Sequence, residues 1–185
     1  MRAWKPTARK RLRLSREGNL IPRRAGHSAS LDVRFAILAF AAVAATSIAG
    51  QLATYPNLAP WYAGLEKPAF NPPNWIFAPV WTTLFILMAF ALWRILRLPI
   101  SRPRRIALNL FFIQLMLNAA WSWMFFGANS PALGLINILP QLAVIVSAII
   151  AFRRLDRLAA WCLVPLAVWV AFATLLNFTI WRLNG

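Results

Sequence analysis

Acidic residues are scarce: the 185-residue chain has 4 Asp and Glu against 20 Lys and Arg, a formal net charge of +16. Cysteine and histidine occur once each, as Cys162 and His27. A lone thiol gives no disulfide framework within the chain, and one Cys with one His gives no Cys/His zinc site. Glu66 lies between apolar stretches, and Asp32 and Asp156 lie at their edges, so no stretch carries an internal carboxylate. That argues against a proton-relay pump or a carboxylate ion site. No P-loop, nucleophile–base pair or metal-ligand cluster stands out, and no internal repeat or low-complexity tract is evident.

What the chain does have is apolar surface: 61% hydrophobic residues, with 10 Trp and 13 Phe. Ordinary soluble domains are about 45–50% apolar, and a soluble protein of this length could not hide the excess. Five stretches are nearly free of charge: 33–53, 76–93, 106–126, 131–152 and 158–181. As helices they reach about 27–36 Å, enough for a bilayer core of about 30 Å. The expected fold class is an all-α membrane protein, a five-transmembrane-helix bundle over 31–185, preceded by a basic arm over 1–30. Short connections make sequential helices antiparallel neighbours. Ser130 before Pro131 has the form of an N-cap followed by a first-turn proline. Only the first connection, 54–75, is long, and it is rich in Pro and aromatics.

The charges then sort by side. Five spans place the arm (with Arg34), the second connection and the fourth on one side, carrying eighteen Lys and Arg, and leave Lys67 and Arg182 on the other. The positive-inside rule puts the N-terminus in the cytoplasm and the C-terminus outside, as in a bacterial inner membrane. The same distribution accounts for the net charge through membrane lipids, without nucleic acid. The arm's Arg-rich, acid-poor composition is read as a disordered basic tail, with an organellar transit peptide as the alternative.

Within the spans, amides and indoles carry the pattern. Gln114, Asn118 and Trp121 share one helical face, as do Trp169, Ala173, Asn177 and Trp181; Trp81, Phe85 and Met88 line up, and so do Asn137 and Gln141. Interhelical amide hydrogen bonding and interfacial Trp explain part of this, notably Asn137, Gln141, Trp4, Trp93 and Trp161. Trp81, Trp121 and Trp169 lie inside spans, where an indole N–H needs a partner. Facing aromatics with a few amide donors describe a pocket for a flat apolar ligand with a carbonyl or carboxylate edge.

The run from Trp61 to Trp81, W-Y-A-G-L-E-K-P-A-F-N-P-P-N-W-I-F-A-P-V-W, resembles the TspO/MBR family, as do Gln114 to Trp121 followed by Phe125-Phe126-Gly127, and Val164 to Trp169 followed by Leu176-Asn177-Phe178 and Trp181-Arg182. The resemblance implies a five-helix bundle binding porphyrins such as protoporphyrin IX and haem, and benzodiazepine-type ligands, with no obligatory cofactor. It implies a pocket lined by Trp61, Trp75, Trp81, Phe85, Asn118, Ser122, Trp169, Ala173 and Leu176, under a lid that includes Tyr62, Lys67, Pro68, Pro72 and Pro73. The receptor or carrier so implied regulates tetrapyrrole metabolism and stress responses. Alternatives are a light-dependent porphyrin-degrading enzyme with Trp81 and Trp169 as redox-active indoles, and a scaffold acting through the arm and a protein partner. Family members also occur in bacterial and mitochondrial outer membranes. Phe178 stands where the family's sterol pattern has Tyr, which argues against cholesterol. A homodimer face is expected on the small residues Ala42, Thr46 and Gly50 of the first span, with packing inside the bundle as the alternative.

Overall fold

A computed structural model describes residues 25–185; the basic arm over 1–24, with Trp4, lies outside them. The described residues form five long helices: α1 (Ala25–Leu58), α2 (Asn74–Leu96), α3 (Arg102–Ser122), α4 (Pro131–Arg153) and α5 (Arg157–Asn184). Each is long and apolar enough to cross a membrane, and the described residues contain no strand. Four of the five expected spans fall within these helices, and the third, 106–126, runs past the end of α3 into the turn at Trp123–Gly127. In a bilayer core only internally hydrogen-bonded segments are tolerated, which is why hydropathy located them. The helices close into a ring in the order α1, α2, α5, α4, α3.

Helix ends differ from expectation where local chemistry overrides hydropathy. α1 starts at Ala25, ahead of its apolar span, and continues through Pro56 to Leu58. Thr54 and Asn57 donate back to the carbonyls of Gly50 and Ala53 there, and the proline costs one helical bond close to the polar end. Ser101 and Ser130 cap α3 and α4, accepting from the N–H of Arg104 and Leu133, and the Asp156 carboxylate caps α5 by accepting from Ala159 N–H.

Between α3 and α4 the chain widens into a π-turn, Trp123–Gly127, in which Ala128 N–H donates to Trp123 at 2.8 Å. The extra residue turns Phe125 and Phe126 inward and leaves Trp123 outside, its indole donating to the Ala49 carbonyl. Asn129 follows with φ 51°, the left-handed conformation that asparagine tolerates.

The two ends of the bundle are unlike. At the arginine-rich end, Arg94 pairs with Asp156 at 2.7 Å, Arg97 with Asp32 at 2.9 Å, and buried Arg104 caps α2 by donating to the carbonyls of Ile95 and Leu96. The half of the bundle beside it is packed solid: Met88, Leu92, Ile95, Phe111 and Phe152 are all fully buried. Large apolar side chains such as Ile37, Leu52, Ile86 and Met116 face outward, as lipid contact requires. α1 is the least enclosed span, with 11% of its apolar window buried against 33% for α3, α4 and α5.

Candidate functional site: an uncharged aromatic cavity under a clasped lid

The half of the bundle away from the arginine-rich end is hollow. A cavity of about 390 Å³ is walled by all five helices, the π-turn and Tyr62. Its size falls in the ~300–1,000 Å³ range of small-molecule sites. Among the described residues no Lys, Arg, Asp, Glu, His, Cys or Met lines it. The wall is aromatic with scattered hydroxyls and amides, so a flat apolar ligand meets ring faces and a few hydrogen-bonding groups.

The α2 wall shows how sequence periodicity builds the site. Asn74, Phe77, Ala78, Trp81, Thr82 and Phe85 recur at helical spacing and present one stripe to the cavity. Trp81 leans on Phe85, with ring centroids 5.5 Å apart, and no acceptor for its indole N–H occurs among the described residues. From α5, Trp169, Ala173, Leu176 and Asn177 form the facing stripe, and Trp169 meets Phe77 edge-on at 5.8 Å. α3 contributes Asn118, Trp121 and Ser122. Asn118 is 7% exposed, and its amide Nδ2 has no hydrogen-bond partner. A buried donor left unmade costs roughly 1–3 kcal/mol, which favours a ligand or water acceptor beside it.

Trp121 is held differently. Its indole donates to Asn177 Oδ1 at 3.1 Å, and Asn177 Nδ2 donates to the Pro131 carbonyl at 2.8 Å, tying α3 to α5 and the start of α4. The ring stacks on Phe125 at 4.9 Å, and Tyr62 and Trp61 meet Phe125 edge-on. Gly134 makes this crossing feasible: a Cβ there would lie 2.8 Å from both Asn177 Oδ1 and Phe125 Cδ2.

The long connection closes the hollow end. Asn184 at the end of α5 clasps Glu66 twice, accepting from its N–H and donating to its carbonyl, each at 2.9 Å. Lys67 Nζ donates to the carbonyls of Leu65 and Ala63 and sits 4.6 Å over the Tyr62 ring. Tyr62 itself is buried, donates to Asn71 Oδ1, and has its phenol pKa raised by that burial.

Of the nine pocket residues expected from the resemblance, seven line this one cavity: Trp81, Phe85, Asn118, Ser122, Trp169, Ala173 and Leu176. Trp61 backs the wall behind Phe125 and Phe126 without lining it. Trp75 does not belong to it: α2 begins at Asn74, so Trp75 sits on the first helical turn, rotated off the stripe, and is 73% exposed. Among the lid residues only Tyr62 reaches the cavity; Lys67, Pro68, Pro72 and Pro73 brace the connection, with Pro73 at the N-cap of α2.

Trp121 and Asn177, singled out by residue pattern but not among the nine that the resemblance implies, also line the cavity, as do Phe125 and Gln141, which the sequence reading did not place there. Trp121 was legible from its shared face with Asn118; Phe125 and Phe126 were not, because the π-turn that aims them breaks the helical period. Thr46 and Gly50 of the small-residue stripe also line the cavity. Gly50 is buried, and a Cβ on it would lie 3.1 Å from Ser122 Oγ, so that part of the stripe packs inside the bundle.

Known proteins agree with this architecture. Residues 36–182 match the family model described as TspO/MBR family. A tryptophan-rich protein TspO of Chlorobaculum tepidum is 46% identical over 142 residues, covering 76% of this chain and 89% of its own. The corresponding protein of Archaeoglobus fulgidus is 39% identical over 145 residues, covering 78% and 93%. The human translocator protein is 37% identical over 127 residues, covering 67% and 75%. With the five membrane helices and a family match over nearly all of them, the chain is an integral membrane protein that belongs to the TspO/MBR family.

Proposed function

We propose that this protein is a membrane receptor for flat, largely apolar ligands of the tetrapyrrole class, protoporphyrin IX and haem among them, and for benzodiazepine-type compounds, and that it regulates tetrapyrrole metabolism and stress responses. The observation carrying the proposal is the uncharged cavity where Trp81, Trp169 and the orphaned Asn118 donor converge. A porphyrin offers ring faces to the indoles and ring or side-chain acceptors to the amide; its charged carboxylates are better placed at the mouth, since the lining carries no cation. With no His, Cys or Met in the lining, recognition runs through the macrocycle and not through those usual axial ligands. A sensory role is in keeping with a relative of Cereibacter sphaeroides, 37% identical over 124 residues, that bears the name tryptophan-rich sensory protein.

The arginine-rich half favours reception over passage, because beyond Phe85, Ile138, Gln141 and Val170 the bundle is filled by the buried side chains of Met88, Leu92, Phe111, Ile145 and Phe152. Cholesterol stays outside the proposal, as Phe178 brings no hydroxyl. The test is quenching of tryptophan fluorescence by a porphyrin panel in purified protein. Trp81→Phe is expected to weaken protoporphyrin IX binding by one hydrogen bond, about 0.5–1.5 kcal/mol. Unchanged affinity in a folded Trp81→Phe, Asn118→Leu double variant refutes the site.

A further inference from the structure

The cavity has a second flank. Where α1 crosses α2, a groove of about 220 Å³ faces the lipid, with Phe40 and Ile86 on its rim, 68% and 62% exposed. Its floor uses small residues, Ala44 on α1 and Ala89 on α2. Ser47, Thr82 and Phe85 line both this groove and the main cavity, so one layer of side chains separates the two. The hydroxyl of Thr82 is already spent on the Ala78 carbonyl of its own helix, and Ser47 accepts from Gln51, so no hydrogen bond crosses the seam at either residue. Among the aromatic rings of the described residues Phe85 contacts only Trp81, and a phenyl ring can change rotamer without breaking a polar contact.

The lid end is held by more. Leaving through it requires parting the two Glu66–Asn184 hydrogen bonds and withdrawing Tyr62 from Phe125 and Phe126; Phe70 adds an edge contact to Phe172. A flat apolar ligand is concentrated in the hydrocarbon phase, and the cavity wall offers it no charge that would call for approach from water.

Resting on the tetrapyrrole-receptor reading, we infer that the α1–α2 groove is the entry site: a membrane-dissolved flat ligand seats its apolar edge between Ala44 and Ala89 and passes Ser47, Thr82 and Phe85 into the cavity, with the lid closed. The groove is distinct from the final site, since Ala44 and Ala89 do not line the cavity. Filling it should slow arrival and departure together.

The experiment uses the full chain in phosphatidylcholine vesicles, with protoporphyrin IX added and tryptophan quenching followed by stopped flow. Ala44→Phe and, from the facing helix, Ala89→Phe are compared with wild type, with melting temperatures confirming the fold; Ala44→Leu replaces the larger plug if Ala44→Phe does not fold. Association is expected to fall about tenfold or more while equilibrium affinity stays within about threefold. Wild-type association rates in the folded variants overturn the entry route while leaving the cavity assignment standing. Failure of the wild type to bind protoporphyrin IX refutes the receptor reading and the entry route with it.

Discussion

Single residues decide how well the cavity is formed, and two of them separate ligand space from structural contact. Ala173 lies one helical turn beyond Trp169 on the cavity stripe of α5 and is half-buried. Ala173→Leu should intrude on the space without removing a hydrogen bond; overpacking costs about 1–3 kcal/mol, expected mainly as lost affinity for a rigid isoquinoline carboxamide, measured by titration beside a melting curve. A collapse of ligand-free stability would make Ala173 a helix contact instead. Gly134 is the opposite case. Its missing Cβ leaves room for Asn177 and for Phe125, which is itself enclosed by Tyr62, Trp121 and Phe126. Gly134→Ala should destabilise the ligand-free protein by about 1–3 kcal/mol in thermal unfolding, and a melting curve equal to wild type would show that Phe125 has slack. Residue-scale legibility was uneven for a physical reason. Trp81, Asn118 and Trp169 announce themselves as polar-edged groups inside apolar spans. The value of Gly134 depends on which helices cross at that point, and no local property of the sequence states that.

At the scale of elements, helix ends and connections do the positioning. Capping was readable at Ser130, where a hydroxyl precedes Pro131, and the structure shows the bond to Leu133 N–H. The π-turn was not readable, since an inserted residue in an apolar aromatic run leaves hydropathy unchanged. The start of α5 carries the clearest electrostatic consequence. Burial raises the Asp156 carboxyl pKa, but the Ala159 N–H and the Arg94 guanidinium outweigh it and hold the group below its usual value. A carboxyl lowered on folding contributes its stability above its unfolded value of about 3.9, and the contribution is lost as pH falls through the lower folded value. Asp156→Ala should therefore cost about 0.5–2 kcal/mol at neutral pH, the loss of a cap, with the broken ion pair adding to it. Asp156→Asn keeps an oxygen for the cap and loses only the charge, so its deficit against wild type should shrink as pH falls from neutral past the unfolded value of about 3.9 and through the lower folded value, when melting is followed in detergent. A deficit that persists undiminished at low pH would show that the charge contributes nothing.

At the scale of the whole molecule, the five spans and the sorting of charge were legible because a bilayer imposes length and polarity on every segment that crosses it. The ring order was not, and neither was the division into a solid and a hollow half, because both depend on which faces of equally apolar helices meet. Charge and cavity can nevertheless be joined in one prediction. Asp32, Arg94, Arg97, Arg104 and Asp156 lie at the solid end, bound into ion pairs and a helix cap, and the arginines around them lie at the same ends of the same helices. Glu66, Lys67 and Arg182 lie at the hollow end. In a bacterial inner membrane the positive-inside rule then places the solid end in the cytoplasm and the lidded cavity in the outer half of the bilayer. Alkaline phosphatase fused after Gly185 should be active, and a reporter that works only in the cytoplasm should be silent there. Inserted in the connection between Leu96 and Arg102, on the arginine-rich side, the same two reporters should exchange behaviour. Activity of the cytoplasmic reporter after Gly185 would invert the protein and put the cavity in the inner half of the bilayer. The proposed entry groove, between 40–47 of α1 and 82–89 of α2, lies at the middle of both spans and would stay at the bilayer centre in either orientation, so the fusions decide on which side of the membrane the lid sits and not the depth at which ligand would enter.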